Sequence, residues 1–210
     1  RLLICQIMIY RIPYFVQRLF GGCCEFRVCC EEKAIYLTFD DGPVPEVTPK
    51  VLDLLDSYNA KATFFCIGDN IRKHPDCFKE VLSKGHAVGN HTMHHLQGMT
   101  TETERYLKDV EQCAALCPSK LFRPPYGRPK IKQIRELRKQ GYRIILWTAI
   151  SYDYNRKLSP EKCLKNVSEL RAGDIVLFHD SIKAEKNMLY CLENVLKTYS
   201  AKGFEFRALR

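Results

Sequence analysis

Residues 35–49 read IYLTFDDGPVPEVTP, an apolar run that ends on two adjacent aspartates. Side chains alternate faces along a strand, which puts Ile35, Leu37 and Phe39 on one face and Tyr36 and Thr38 on the other. Gly42-Pro43 breaks the run at once. Neighbouring carboxylates repel, and burying them is costly unless something cationic offsets the charge. In isolation Asp-Asp-Gly reads as a turn. The alternative is a metal ligand beside a proton acceptor, and the rest of the chain has to choose between them.

Outward from this stretch the pattern is regular. Apolar, strand-like runs recur at AIYLTF, KATFFCI, HAVGNH, KLFRPP, RIILWTA, DIVLFHD and FEFRAL. Amphipathic segments separate most of them. Val51, Leu54, Leu55 and Tyr58 recur at helical spacing, as do Met188, Leu192, Val195, Leu196 and Tyr199. SKGH, KQGY and AKGF each place a glycine just after a helix, the usual left-handed cap. Seven strands alternating with six helices predict a parallel α/β fold. Residues 1–33 form a lead-in expected to pack on the barrel, and residues 34–210 the α/β domain itself, with no repeat or low-complexity tract.

At 210 residues and 46% hydrophobic, the chain has ample core for one domain. Its net charge of +9 comes from 33 basic against 24 acidic residues, scattered rather than gathered in a block. That scatter, without clustered aromatics, argues against nucleic-acid binding. The opening RLLICQIMIYRIPYFVQRLF is interrupted by Gln, Arg and Pro. It makes neither a spanning helix nor a good signal peptide, and the compartment stays open. Of 11 cysteines, Cys23, Cys24, Cys29 and Cys30 form CCEFRVCC, whose adjacent pairs do not match zinc-site spacing. Most of the others sit in apolar contexts and read as buried, reduced thiols. The cluster is given no function.

Ligands of parallel α/β folds sit at the carboxyl ends of the strands. Asp40 and Asp41 end the first strand, GNHTMHH the third, FRPPYG the fourth, WTAISYD the fifth and FHD the sixth. Chemistry-bearing residues thus collect on one rim. In HTMHH, His91 and His95 are four apart, so one helical turn puts them on one side; His91 and His94 are also compatible by spacing. His74 and His86 read as structural. Two imidazoles and one carboxylate make a facial set with positions open to water and substrate, leaving the second carboxylate free as a base.

TFDDGP, HTMHH, RPPYG, WTAISYD and LFH resemble, in order, the five motifs of the polysaccharide deacetylases, the NodB-homology group that forms family 4 of the carbohydrate esterases. The resemblance covers roughly residues 34–209. It implies a distorted seven-stranded β/α barrel, one divalent metal ion (zinc, with cobalt or nickel as alternatives) and removal of acetyl groups from N-acetylated sugars. By resemblance Asp40 is the general base, and Asp41, His91 and His95 bind the metal. Thr92 steadies the loop. Arg123 orients the base and favours its charged form. The Tyr126 N–H stabilises the oxyanion, and His179 is the general acid. Trp147, Leu177 and Pro125 are expected to contact substrate. The fourth motif departs from the pattern: Ile150 stands where many relatives have a first aspartate, Tyr154 replaces a Trp, and Asp153 keeps the second aspartate as a candidate partner for Arg123.

The expected partner is an acetylated glycan bound by a monomer. An O-acetyl esterase or a small-molecule amidase keeps the same site. A metal-free carbohydrate-binding module is disfavoured because Asp40, Asp41, His91, His95 and His179 are all present.

Overall fold

Every strand-to-strand pairing among the described residues is parallel. The structure, a computed structural model, describes residues 10–210; the first nine residues of the lead-in, Cys5 among them, lie outside that range. The strands are β1 (Ala34–Asp40), β2 (Thr63–Cys66), β3 (Ala87–Asn90), β4 (Leu121–Phe122), β5 (Arg143–Ile144), β6 (Ala149–Ile150), β7 (Ile175–His179) and β8 (Glu205–Phe206). The helices are α1 (Tyr14–Phe20), α2 (Thr48–Ser57), α3 (Gly68–Lys73), α4 (Pro75–Ser83), α5 (Thr103–Ala114), α6 (Ile131–Lys139), α7 (Pro160–Asn166) and α8 (Glu185–Ala201).

The sheet runs β5-β4-β3-β2-β1-β7-β6, with β8 paired to β1 beside this path. The RIILWTA run, expected as one strand, is therefore split: β5 ends one edge and β6 the other. Seven strands laid flat would separate those edges by about 29 Å. The link from Ile144 to Ala149 reaches at most about 18 Å, so the sheet has to curl. This is the distorted β/α barrel.

The lead-in closes the seam. Glu25 donates its amide to Ile144 and accepts from the Leu146 amide, while Ile12 donates to Thr148 and Ile150 to Tyr10. These bonds give partners to edge groups that water would otherwise have to satisfy.

The alternation read in residues 35–40 is what splits the core. Ile35, Leu37 and Phe39 face outward, packing with Phe64, Val176 and Phe178 under α2 and α8. Tyr36 faces into the barrel with Phe65, Leu121, Ile145 and Ile175. The expected stripe of α8 (Met188, Leu192, Val195, Leu196, Tyr199) is buried throughout. In α2, Val51 and Leu55 are buried with Leu52, while Leu54 is only partly covered. The three expected cap glycines, Gly85, Gly141 and Gly203, have φ of 75°, 84° and 75°. All ten described cysteines are free thiols. No helix among the described residues is long and apolar enough to cross a membrane.

Candidate active site

On β1 the inward face carries Tyr36, Thr38 and Asp40, so Asp40 arrives at the rim pointing into the barrel mouth. Asp41 would face the other way in a continuing strand. Its φ of 82° turns the chain instead, and both carboxylates reach one place: His91 Nε2 lies 3.8 Å from Asp40 Oδ2 and 3.8 Å from Asp41 Oδ1. Left-handed backbone is costly for a residue with a Cβ and persists where surrounding structure enforces it. Thr92 (66°), His95 (55°), Tyr126 (61°) and Tyr152 (58°) share it, all on this rim.

The turn at Asp41 is held by Asn70, whose Nδ2 donates to the Asp41 carbonyl at 2.7 Å, and by Asp180, to which the sequence reading gave no role although it directly follows His179. The Asp180 carboxylate accepts the Gly42 N–H at 3.0 Å and the Thr48 hydroxyl at 2.7 Å. It is fully buried, and burial pushes it up to about 8, against the hydrogen bond from Thr48. A Cβ on Gly42 would overlap this carboxylate.

His91 and His95 converge, but through an irregular loop rather than the expected helical turn. Asn90 Oδ1 accepts the Thr92 N–H at 2.9 Å, and Thr92 Oγ1 accepts the Leu96 N–H at 3.2 Å. His91 Nδ1 sits 2.8 Å from the Arg123 carbonyl. That bond fixes Nδ1–H and aims the Nε2 lone pair into the site. Burial lowers the pKa of His91, which keeps the ring neutral. His95 Nε2 is 3.2 Å from Asp41 Oδ1. Burial alone would raise the Asp41 carboxyl; the His95 hydrogen bond and the charge of His179 hold it well below the usual carboxylate range. One ligand atom each from Asp41, His91 and His95 lies within 4.8 Å of the others. A carboxylate and two imidazoles so placed fit a divalent transition ion. His94 turns away to Asp109 at 2.6 Å, and His86 is buried, accepting the Ala62 N–H.

Arg123 is fully buried behind Asp40. Its Nη1 donates to Asp40 Oδ1 at 2.8 Å and to Thr38 Oγ1 at 2.7 Å, and Nε and Nη2 donate to the carbonyls of Ile145 and Leu146. Asp153 does not pair with Arg123, which corrects the expectation. It follows β6, whose register with β7 sets Ile150 beside Leu177. The turn beyond therefore meets the end of β7, and Asp153 Oδ1 lies 2.8 Å from His179 Nδ1. Burial works against the imidazolium, yet the Asp153 carboxylate overrides it and holds His179 up to about 9. Tyr154, in the place of the missing Trp, packs edge-on against the His179 ring with centroids 4.8 Å apart.

These groups open on a cleft of about 710 Å³ whose lining includes Asp40, Asp41, His91, His95, Tyr126, Trp147, Leu177 and His179. Pro125 is buried within its turn, and Tyr126, Gly127 and Arg128 reach the cleft in its stead. The Tyr126 N–H meets no protein acceptor among the described residues. The lead-in adds Ile12, Pro13 and Val16 to the wall, a contribution the opening sequence gave no sign of. A second cavity, about 610 Å³, lies at the far end of the strands and holds none of these groups.

A family model described as polysaccharide deacetylase matches residues 27–145. The chain belongs to that family. A peptidoglycan-N-acetylglucosamine deacetylase of Bacillus cereus is 34% identical over 192 residues, covering 88% of this chain and 90% of that protein. A chitooligosaccharide deacetylase of Azorhizobium caulinodans is 29% identical, covering 87% of this chain and 96% of that one. Among solved structures, a peptidoglycan N-acetylglucosamine deacetylase superposes with a TM-score of 0.84 at 27% identity, over 94% of this chain and 95% of the other. As a polysaccharide deacetylase the chain carries a residue of the expected type at every motif position but two in the fourth, Ile150 and Tyr154.

Proposed function

We propose that the protein is a metal-dependent hydrolase that removes acetyl groups from N-acetylated sugars of a glycan. The observation that carries this reading is the convergence of Asp41, His91 and His95 donor atoms within 4.8 Å, in a cleft also lined by Asp40 and His179. Asp41, His91 and His95 would hold one divalent ion, zinc in first place with cobalt or nickel as alternatives. Such an ion supplies Lewis acidity toward water and the acetyl carbonyl.

The remaining work falls to the protein. Asp40, fixed by Arg123 and Thr38, takes the proton of the attacking water as its oxygen adds to the carbonyl carbon. The Tyr126 N–H donates to the developing oxyanion. His179, kept protonated by Asp153, delivers a proton to the departing nitrogen, which leaves as the free amine. An amine is a poor leaving group, so this last step is the one that distinguishes an amidase from an esterase. Trp147 and Leu177 contact the acetyl group.

Acetate release from N-acetylglucosamine oligomers and from acetylated xylan, each with and without chelator, tests the proposal. Release from the oligomers that chelator abolishes is the expected result. Release from xylan alone would make the protein an O-acetyl esterase, and chelator-insensitive release would remove the metal from the reading.

A further inference from the structure

A single methyl needs little room, yet one flank of the cleft is apolar well beyond it. Ile12, Pro13, Val16, Trp147, Ile150 and Leu177 all line the cavity that holds Asp40 and His179. Ile150 and Leu177 are register partners on β6 and β7 and are only 5% and 2% exposed, so they form a fixed floor. Ile12, Pro13 and Val16 belong to the lead-in, ahead of residue 27 where the family match begins.

That part of the wall is anchored. The Ile12 amide donates to Thr148 and the Ile150 amide to Tyr10, both at 2.9 Å. Between them Arg11 donates to the fully buried Asp174 carboxylate at 2.8 Å. A loose arm would not hold ligand surface; a segment bonded to the β6 edge and pinned by an ion pair to a buried carboxylate does.

We propose that this flank is an acyl-chain subsite, and that the protein hydrolyses amide-linked acyl groups longer than acetyl, propionyl to hexanoyl, from amino sugars. The proposal rests on the deacetylase reading and extends it. The chemistry is unchanged: water oxygen joins the acyl carbon, the C–N bond breaks, the acid departs with the new oxygen, and the amine nitrogen takes the proton. Each methylene laid against such a wall is worth about fourfold in binding.

Two measurements decide the matter. In the first, kcat/KM is determined for glucosamine oligomers bearing acetyl, propionyl, butyryl or hexanoyl groups. Butyryl is expected within about tenfold of acetyl, and Val16→Phe, which fills the flank, is expected to lower the butyryl-to-acetyl ratio about tenfold. A wild-type fall of about 100-fold from acetyl to butyryl overturns the proposal. An equal loss on both substrates in Val16→Phe also overturns it, because the flank would then serve the sugar. No turnover of any substrate would defeat the deacetylase reading instead. The second measurement is independent of turnover and follows fluorescence of the single tryptophan, Trp147, during titration with acetate, butyrate and hexanoate. Affinity should rise along the series in the wild type and stay level in Val16→Phe; a level or falling wild-type series would reject the subsite.

Discussion

The Asp153 carboxylate grips His179 twice: Oδ1 lies 2.8 Å from the ring Nδ1, and Oδ2 accepts the His179 backbone N–H at 2.9 Å. The same Oδ1 accepts the Tyr154 N–H at 2.9 Å. One fully buried carboxylate thus sets the ring's position, its tautomer and its charge, and leaves Nε2 as the proton-bearing atom for the cleft.

Asp153→Asn removes the charge and keeps the shape. Burial then acts on His179 unopposed by that carboxylate, so its pKa falls from about 9 toward or below the ordinary imidazole value. The alkaline limb of the rate profile should move to lower pH, with about 10²-fold or greater loss on N-acetyl substrates at neutral pH. The sign extends to folding. A group raised in the folded state stabilises fully below its unfolded pKa, about 6.5, and this contribution disappears as pH rises through about 9. Imidazole titration by NMR and melting against pH in wild type and Asp153→Asn check both; an unmoved alkaline limb would remove His179 from the reaction.

His179→Ala should slow N-acetyl sugars far more than an activated aryl acetate, whose leaving group needs no proton. Parallel kinetics on the two substrates reads this directly. Equal losses would mean that His179 does not serve as the acid.

Asp41→Asn and His95→Ala should each weaken binding of a divalent ion at least about tenfold, whereas Asp40→Asn should retain it while losing turnover. Elemental analysis of protein purified without chelator separates the three. Ion present at 100 times its dissociation constant should also add about 2.7 kcal/mol of stability, visible as a shift in denaturation midpoint on chelation.

Arg123→Ala leaves the Asp40 carboxylate buried beside an empty space, and should cost about 3–5 kcal/mol in chemical denaturation. Arg123→Lys keeps the charge but loses the fork that reaches Ile145 and Leu146, so activity should fall even where the fold survives. Ion content should be spared in Lys, because His91 is held by the main-chain carbonyl of residue 123 rather than its side chain.

Gly42→Ala drives a methyl into the Asp180 carboxylate and should destabilise by about 1–3 kcal/mol, with ion content and activity falling together. Gly141→Ala is the comparison: nothing lies within 4 Å of its would-be Cβ, so only the left-handed backbone is penalised, by about 1 kcal/mol, and activity is retained. Thermal melts of the two variants test the contrast.

Reading strand ends for polar residues located Asp40, Asp41, His91, His95 and His179 because a parallel sheet aligns those ends by construction. It gave no account of which acid meets which base. Asp153 and Arg123 are 30 residues apart by number, and only the register of β6 against β7 shows that Asp153 belongs to His179. RIILWTA has the composition of one strand, yet barrel closure divides it, since the chain has to leave one edge and join the other within four residues. The left-handed turns at Asp41, Thr92 and His95 fall on non-glycine residues, where local propensity predicts nothing of the kind. The face of Thr38 was legible from the alternation in β1, but its contact with the Arg123 guanidinium was not.

Arg123 holds Asp40 with one arm and the carbonyls of Ile145 and Leu146, within the seam, with the others. The Ile145 amide is bonded to Phe122 and the Leu146 amide to Glu25. Local opening of this seam would therefore release Asp40 in the same event that exposes those amides to solvent. Native-state hydrogen exchange at Glu25, Ile145 and Leu146 then becomes a gauge of how often the Asp40 carboxylate is out of register, measurable in the resting protein with no substrate present.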